Sequence, residues 1–268
     1  MPVQTVVDQL GNSINIPHPP KRIISVVPSQ TELLFYLGLD RQIVGITKFC
    51  CHPGPDVQSI EKIGGTKVLK LEKIKQLQPD LIIANKEEND KDQIESLRSQ
   101  FPVWVSDIKT IKEAIEMTRS IGRITCKTGV SDQLAMQISQ KFNKLEEISN
   151  NPDFNTKRTA YLIWRNPYMV AAKNTFIDEM LRYGGFENCF SQQTRYPEIT
   201  IEDLRKVRPE LIFLSSEPYP FKEKHIAELQ IACPDVNVEL VDGELFSWYG
   251  NRLLKSADYL QKLQQKFI

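Results

Sequence analysis

The chain has 268 residues, enough for one large or two medium cores, and its Lys plus Arg equals its Asp plus Glu at 34 each, so no global field favours nucleic acid or an anionic membrane. No apolar run approaches the ~18 residues a membrane span needs, and residues 1–15 lack the charged start and apolar stretch of a signal peptide. Five cysteines, Cys50, Cys51, Cys126, Cys189 and Cys233, carry no metal-finger spacing; they argue against a disulfide scaffold and leave the compartment undecided.

In chain order, residues 3–7 and 13–16 read as a hairpin turned by Gly11 and Asn12. The β-branched run 22–27 predicts a strand. Ser29 with Glu32 three residues on predicts a capping box opening a helix that Gly38 closes. A strand over 42–47 and a loop over 48–53 follow. After the segment 71–83, a helix near 91–99 and a strand over 102–105 complete a first lobe. Residues 110–149 hold two glycines, Gly122 and Gly129, and no proline, with Ile111, Ile115, Ile121, Leu134, Met136, Ile138 and Leu145 at helical spacing. They predict two helices or one long helix broken near Gly122 to Gly129, ended at 150–153. A strand over 158–164, a turn at Asn166 and Pro167, a helix over 175–183, a helix near 222–232, a strand over 236–241 and a closing helix over 252–267 make up the second lobe. The predicted class is α/β, divided as 1–109, a helical linker 110–150, and 151–268.

One segment occurs twice. Residues 71–83, LEKIKQLQPDLII, align without a gap to 201–213, IEDLRKVRPELIF. The period is too long for a solenoid and implies two lobes of similar build. Each copy is a short helix stopped by Pro79 or Pro209, then an acid, then a strand apolar enough to be buried on both faces of a parallel sheet. Glu72 and Glu202 occupy matched positions beside the apolar stripe and are expected to face solvent; the plain reading of both is ordinary surface acids.

In such sheets ligands collect at the carboxyl ends of the strands. The loops there hold Phe49, Trp164, Tyr168, Tyr219, Phe221, Phe246, Trp248 and Tyr249, with Lys48 and Arg165 among them, which suggests a grip on a flat or apolar ligand. The alternative is that some of these rings plug the sheet ends. Cys50 and His52, two apart on an extended loop, are candidate metal ligands, against a buried thiol and a hydrogen-bonded imidazole. The rival reading from another class is a cytosolic metal or thiol enzyme centred on Cys50, Cys51 and His52, in which a Cys51–histidine pair would make the nucleophile, although no residue supplies its orienting acid. No hydrolase, zincin or phosphate-loop motif is present.

The series Pro20 to Ser25, Pro28-Ser29 with Thr31-Glu32 and Leu37-Gly38, Gly64-Gly65, the paired repeats and the run Gly184-Gly185-Phe186-Glu187-Asn188 resembles the substrate-binding proteins of iron-siderophore, haem and cobalamin ABC importers, over nearly the whole chain and nearest the cobalamin branch. The resemblance implies two α/β lobes joined by a helical backbone, a ligand cleft between the lobes, an extracytoplasmic monomer without enzymatic activity, and delivery of a metal chelate, a corrinoid before a ferric siderophore or haem, to a permease dimer. No resident cofactor is implied. Glu72 and Glu202 match the glutamates that dock on permease arginines. Phe49, Trp164 and Tyr196 match aromatic cleft positions, whereas Thr66 and Asn85 stand where that branch has tryptophans. Lys48, Cys50, Tyr168, Phe246 and Trp248 complete the expected contacts, and Arg165, Arg195 and Arg252 would serve an anionic siderophore.

Overall fold

The computed structural model describes residues 2–151 and 154–267, and the chain divides into two compact units. The first runs to Ile108 and adds Lys112–Gln137 and Tyr249–Arg252; the second comprises Lys109–Ile111, Ile138–Trp248 and the chain from Leu253 on. Of the expected helix stop at 150–153, Pro152 and Asp153 lie outside the described residues.

The first unit opens with an antiparallel hairpin of β1 (Val3–Val7) and β2 (Ser13–Pro17). There follow β3 (Ile23–Ser25), α1 (Pro28–Tyr36), β4 (Ile43–Ile46), α2 (Leu71–Leu77), β5 (Leu81–Asn85), α3 (Lys91–Arg98) and β6 (Val103–Ser106). The sheet order is β4-β3-β5-β6, all parallel. Every residue of β5 is buried, as a strand covered by helices on both faces requires. Ile74 of α2 and Ile94 and Leu97 of α3 share a core with Ile24, Ile82, Ala84 and Val103. The chain leaves β3 towards β4 and returns past it to β5, so the direction of winding reverses at the carboxyl ends of β3 and β5. In open parallel sheets that reversal marks the ligand crevice.

Helices α4 (Ile111–Ile124) and α5 (Thr128–Ser149) are separated at Cys126, whose φ of 60° is left-handed. Gly122 lets the two approach: a Cβ there would stand 1.8 Å from Ser131 Oγ. The 22 residues of α5 span about 33 Å, and the helix contributes residues to both units.

The second unit continues with β7 (Lys157–Trp164), β8 (Tyr168–Val170), α6 (Phe176–Tyr183), β9 (Phe186–Asn188), β10 (Glu198–Ile199), α7 (Ile201–Lys206), β11 (Leu211–Ser215), α8 (Glu223–Ala232), β12 (Asn237–Val241), α9 (Gly243–Ser247) and α10 (Leu253–Phe267). The strand order is β10-β8-β7-β11-β12, with β9 also pairing β7. Strands β7, β9, β11 and β12 are parallel; β8 alone runs the other way, antiparallel to β7 and to β10 on its far side. Here the reversal falls between β7 and β11.

The sequence repeat is a structural one, α2-β5 and α7-β11, and its identities have a cause. Gln78 and Arg208, each just before the proline, take left-handed φ of 46° and 48°. The next acid then reaches the neighbouring strand: Asp80 accepts from the backbone N–H groups of Lys21 and Arg22, and Glu210 from that of Arg158. The arginines answer in kind, Arg22 donating to Leu77 O and Arg158 to Val207 O, which are equivalent repeat positions. Each copy thus ties a helix end to the start of the adjacent strand.

Three expectations are corrected. The capping box does not form: Pro28 starts α1, its fixed φ being suited to the first helical position, so Ser29 lies inside the helix and Glu32 turns to Arg252. Residues 243–247, expected as loop, form α9, because Asp242 caps them by accepting from the Leu245 N–H. Strands β8, β9 and β10, two or three residues each, were too short to show a period of two.

Candidate functional site

In the first unit, Lys48 and Phe49 extend beyond β4. Phe49 is 53% exposed, with the Lys48 ammonium 5.0 Å from its ring centre. The ring rests on Gly65, where a Cβ would come within 3.1 Å of it. Gly64 beside it has a φ of 105°, and a Cβ there would meet Val68 O at 2.5 Å, so the bend that supports Phe49 requires glycine. Thr66 is half-buried on the same bend, and its carbonyl accepts from Asn89 Nδ2.

Asn85 ends β5 but is buried. Its Oδ1 accepts from the Glu87 and Glu88 N–H groups and its Nδ2 donates to Ser106 Oγ, so its side chain shapes the loop. Cys50 is corrected likewise: its sulfur lies 3.2 Å from both Thr31 Oγ1 and Thr47 Oγ1, and burial pushes the thiol above its ordinary pKa. Without a metal it stays a neutral thiol. The donors that do approach each other, within 4.8 Å, are those of exposed Cys51 and half-buried His52. Arg252 is buried and ion-paired to buried Glu32 at 2.8 Å.

In the second unit, Trp164 ends β7 and is 39% exposed, its ring 5.8 Å from that of Tyr219 in an edge arrangement. Arg165 is paired: it grips Glu228 with Nη2 at 2.9 and 2.8 Å from the two carboxylate oxygens. Tyr168 donates to the same carboxylate at 2.7 Å. The hydrogen bonds from Tyr168 and Arg165 hold Glu228 below the usual carboxylate range, while burial and the Glu228 contact push Tyr168 up to about 12. Tyr196 is half-buried, with the exposed Arg195 guanidinium 5.7 Å from its ring.

Phe246 and Trp248, expected to contact a ligand, are buried. Phe246 is fully buried among Tyr161, Phe213 and Tyr259. Trp248 is buried and donates its indole N–H to Glu217 Oε1 at 2.8 Å, which also accepts from Ser247 Oγ. Burial raises the Glu217 pKa against these two bonds. Glu217 and Glu228 escaped the sequence reading, since nothing in the spacing of a lone glutamate tells which loop or helix it will face.

Glu72 and Glu202 are exposed in the first turns of α2 and α7, where a carboxylate also suits the helix dipole. Glu72 pairs with Lys75 yet keeps 81% of its side chain in solvent. Each helix runs opposite to the strand it leads into, so both glutamates stand towards the carboxyl ends of their sheets.

A profile of the family described as "Periplasmic binding protein" matches residues 23–230. The vitamin B12-binding protein of Pectobacterium carotovorum is 23% identical over 244 residues, covering 90% of this chain and 87% of its own. An ABC transporter substrate-binding lipoprotein of Bacillus subtilis is 27% identical over 265 residues, covering 96% and 83%. Among solved structures, the periplasmic vitamin B12 binding protein of Vibrio cholerae superposes with a TM-score of 0.79 at 22% identity, covering 92% of this chain and 98% of that one. The family is one of binding proteins and not of enzymes, which overturns the thiol-enzyme alternative at Cys51.

Proposed function

The chain belongs to the periplasmic binding protein family, and we propose that it is the substrate-binding protein of an ABC importer, capturing a corrinoid outside the cytoplasm and passing it to a membrane permease dimer. The observation that carries this reading is the pair of exposed aromatic rings, Phe49 in one unit and Trp164 in the other, each at the carboxyl ends of its own sheet. Broad apolar rings held out of the core suit the faces of a large flat macrocycle. Lys48, Thr66, Tyr168 and Tyr196 are the polar and aromatic neighbours proposed to contact it. The ligand is cargo and not a resident cofactor, and the working form is a monomer.

Titration of the purified chain with cyanocobalamin, cobinamide, haemin and ferric siderophores tests the proposal. Tightest binding to the two corrinoids supports it. Preference for a ferric siderophore would replace the corrinoid by an anionic chelate. No binding tighter than ~100 μM, about −5.5 kcal/mol, to any of them would overturn the reading.

A further inference from the structure

At the start of α8 the Lys222 backbone N–H donates to His225 Nδ1 at 2.9 Å. A neutral imidazole that accepts at Nδ1 carries its proton on Nε2. That nitrogen lies 3.3 Å from Tyr219 Oη, so it is the imidazole that donates and the phenol oxygen that accepts. The hydroxyl hydrogen of Tyr219 is therefore turned away from His225, and it has no other partner among the described residues. His225 is 3% exposed, enclosed edge-on by Tyr219 and Phe221, and burial holds it below the usual histidine pKa, helped by the charges of Lys224 and Arg165. It stays neutral at pH 7, and the direction of the bond is fixed.

Tyr219 itself is half-buried, follows β11 at the reversal point of its sheet, and meets the exposed ring of Trp164. Arg165, Tyr168 and Glu228 satisfy one another. One oriented donor is left beside one open aromatic face. We infer that Tyr219 is a ligand-directed hydrogen-bond donor positioned by His225, and that the cargo carries an acceptor, a carboxamide or a carboxylate, at the edge of the flat face lying on Trp164. This rests on the proposed function and adds to it the chemistry of the ligand rim.

The test uses the full chain and two probes, cyanocobalamin for carboxamides and haemin for carboxylates, followed by Trp fluorescence and calorimetry. The probe that binds names the source of the acceptor. Tyr219→Phe keeps the ring and is expected to weaken that probe about tenfold, the effect of one neutral hydrogen bond, measured at a temperature where both proteins are folded, since stranding the His225 Nε2–H also lowers Tm. His225→Asn keeps the acceptor for Lys222 but not the donor for Tyr219, and is expected to lose as much, with no further loss in the double variant. His225→Gln, which restores a donor at the Nε2 position, is expected to retain affinity; a merely structural histidine would show the reverse order. Unchanged affinity in Tyr219→Phe, with wild type binding a probe, overturns this inference and leaves the proposed function standing. Failure of wild type to bind either probe overturns both.

Discussion

Single side chains carry two predictions, both about carboxyl groups shielded from water. Glu32 and Arg252 neutralise each other with little water access, so Arg252→Ala strands a buried carboxylate. Breaking such a pair from one side costs about 3–5 kcal/mol, and chemical denaturation should show a loss of that order, much reduced when Glu32→Gln removes the orphaned charge. Glu217 has the opposite problem: it is half-buried with no ion pair shown among the described residues, and desolvation raises its pKa in the folded state above the ordinary 4.5. A raised pKa means that the folded state binds the proton more tightly, so the stability contribution is present below pH 4.5 and is lost as pH rises through the folded value. Both donors, Ser247 Oγ and Trp248 Nε1, use the same oxygen, which an amide reproduces. Glu217→Gln is therefore expected to be more stable than wild type at pH 7, with the difference vanishing near pH 4; thermal melts across that range check it.

Between elements, α4 approaches α5 closely at Gly122. Gly122→Ala would put a methyl inside the Ser131 side chain, and the helices cannot part without opening the buried faces at Ile121, Leu134 and Ala135. A loss of about 2 kcal/mol or more is expected, in the range of overpacked cores, and Ser131→Gly in the same chain should recover part of it. Failure of the second change to restore any stability, measured by urea denaturation, would show that the strain lies elsewhere. The paired anchors Arg22–Asp80 and Arg158–Glu210 show why the repeat was visible at all: each copy needs the same left-handed residue, proline and acid to join a helix end to a strand.

For the molecule as a whole, Glu72 and Glu202 bear on partner recognition. They are solvated and lie at matched positions of the two units, so Glu72→Ala with Glu202→Ala should leave fold and ligand affinity unchanged, within about 0.5 kcal/mol per site. We propose that they meet basic pockets of a permease dimer. Association of the double variant with the reconstituted importer should then be weaker at low salt and approach wild type at high salt, as screening removes the contact. Equal association at both salts would return them to ordinary surface acids.

The α/β class, the order of the long elements, the helical pair over 110–149 and the duplicated helix-strand step were legible in the residues, because periodicity, proline stops and buried apolar runs are local properties of a chain. The short strands β8 to β10 were not, since a strand of two or three residues exists through its neighbours' hydrogen bonds and not through its own pattern. The same distinction divides the site. Phe49 and Trp164 could be found by placing aromatics after strands, but that rule could not separate them from Phe246 and Trp248, which are just as aromatic and are buried. Nor could it foresee that Arg165 is spent on Glu228, that Arg252 is spent on Glu32, or that His225 orients Tyr219. Burial and charge pairing depend on which distant residues arrive at the same place, and in this chain 220 positions separate Glu32 from its arginine.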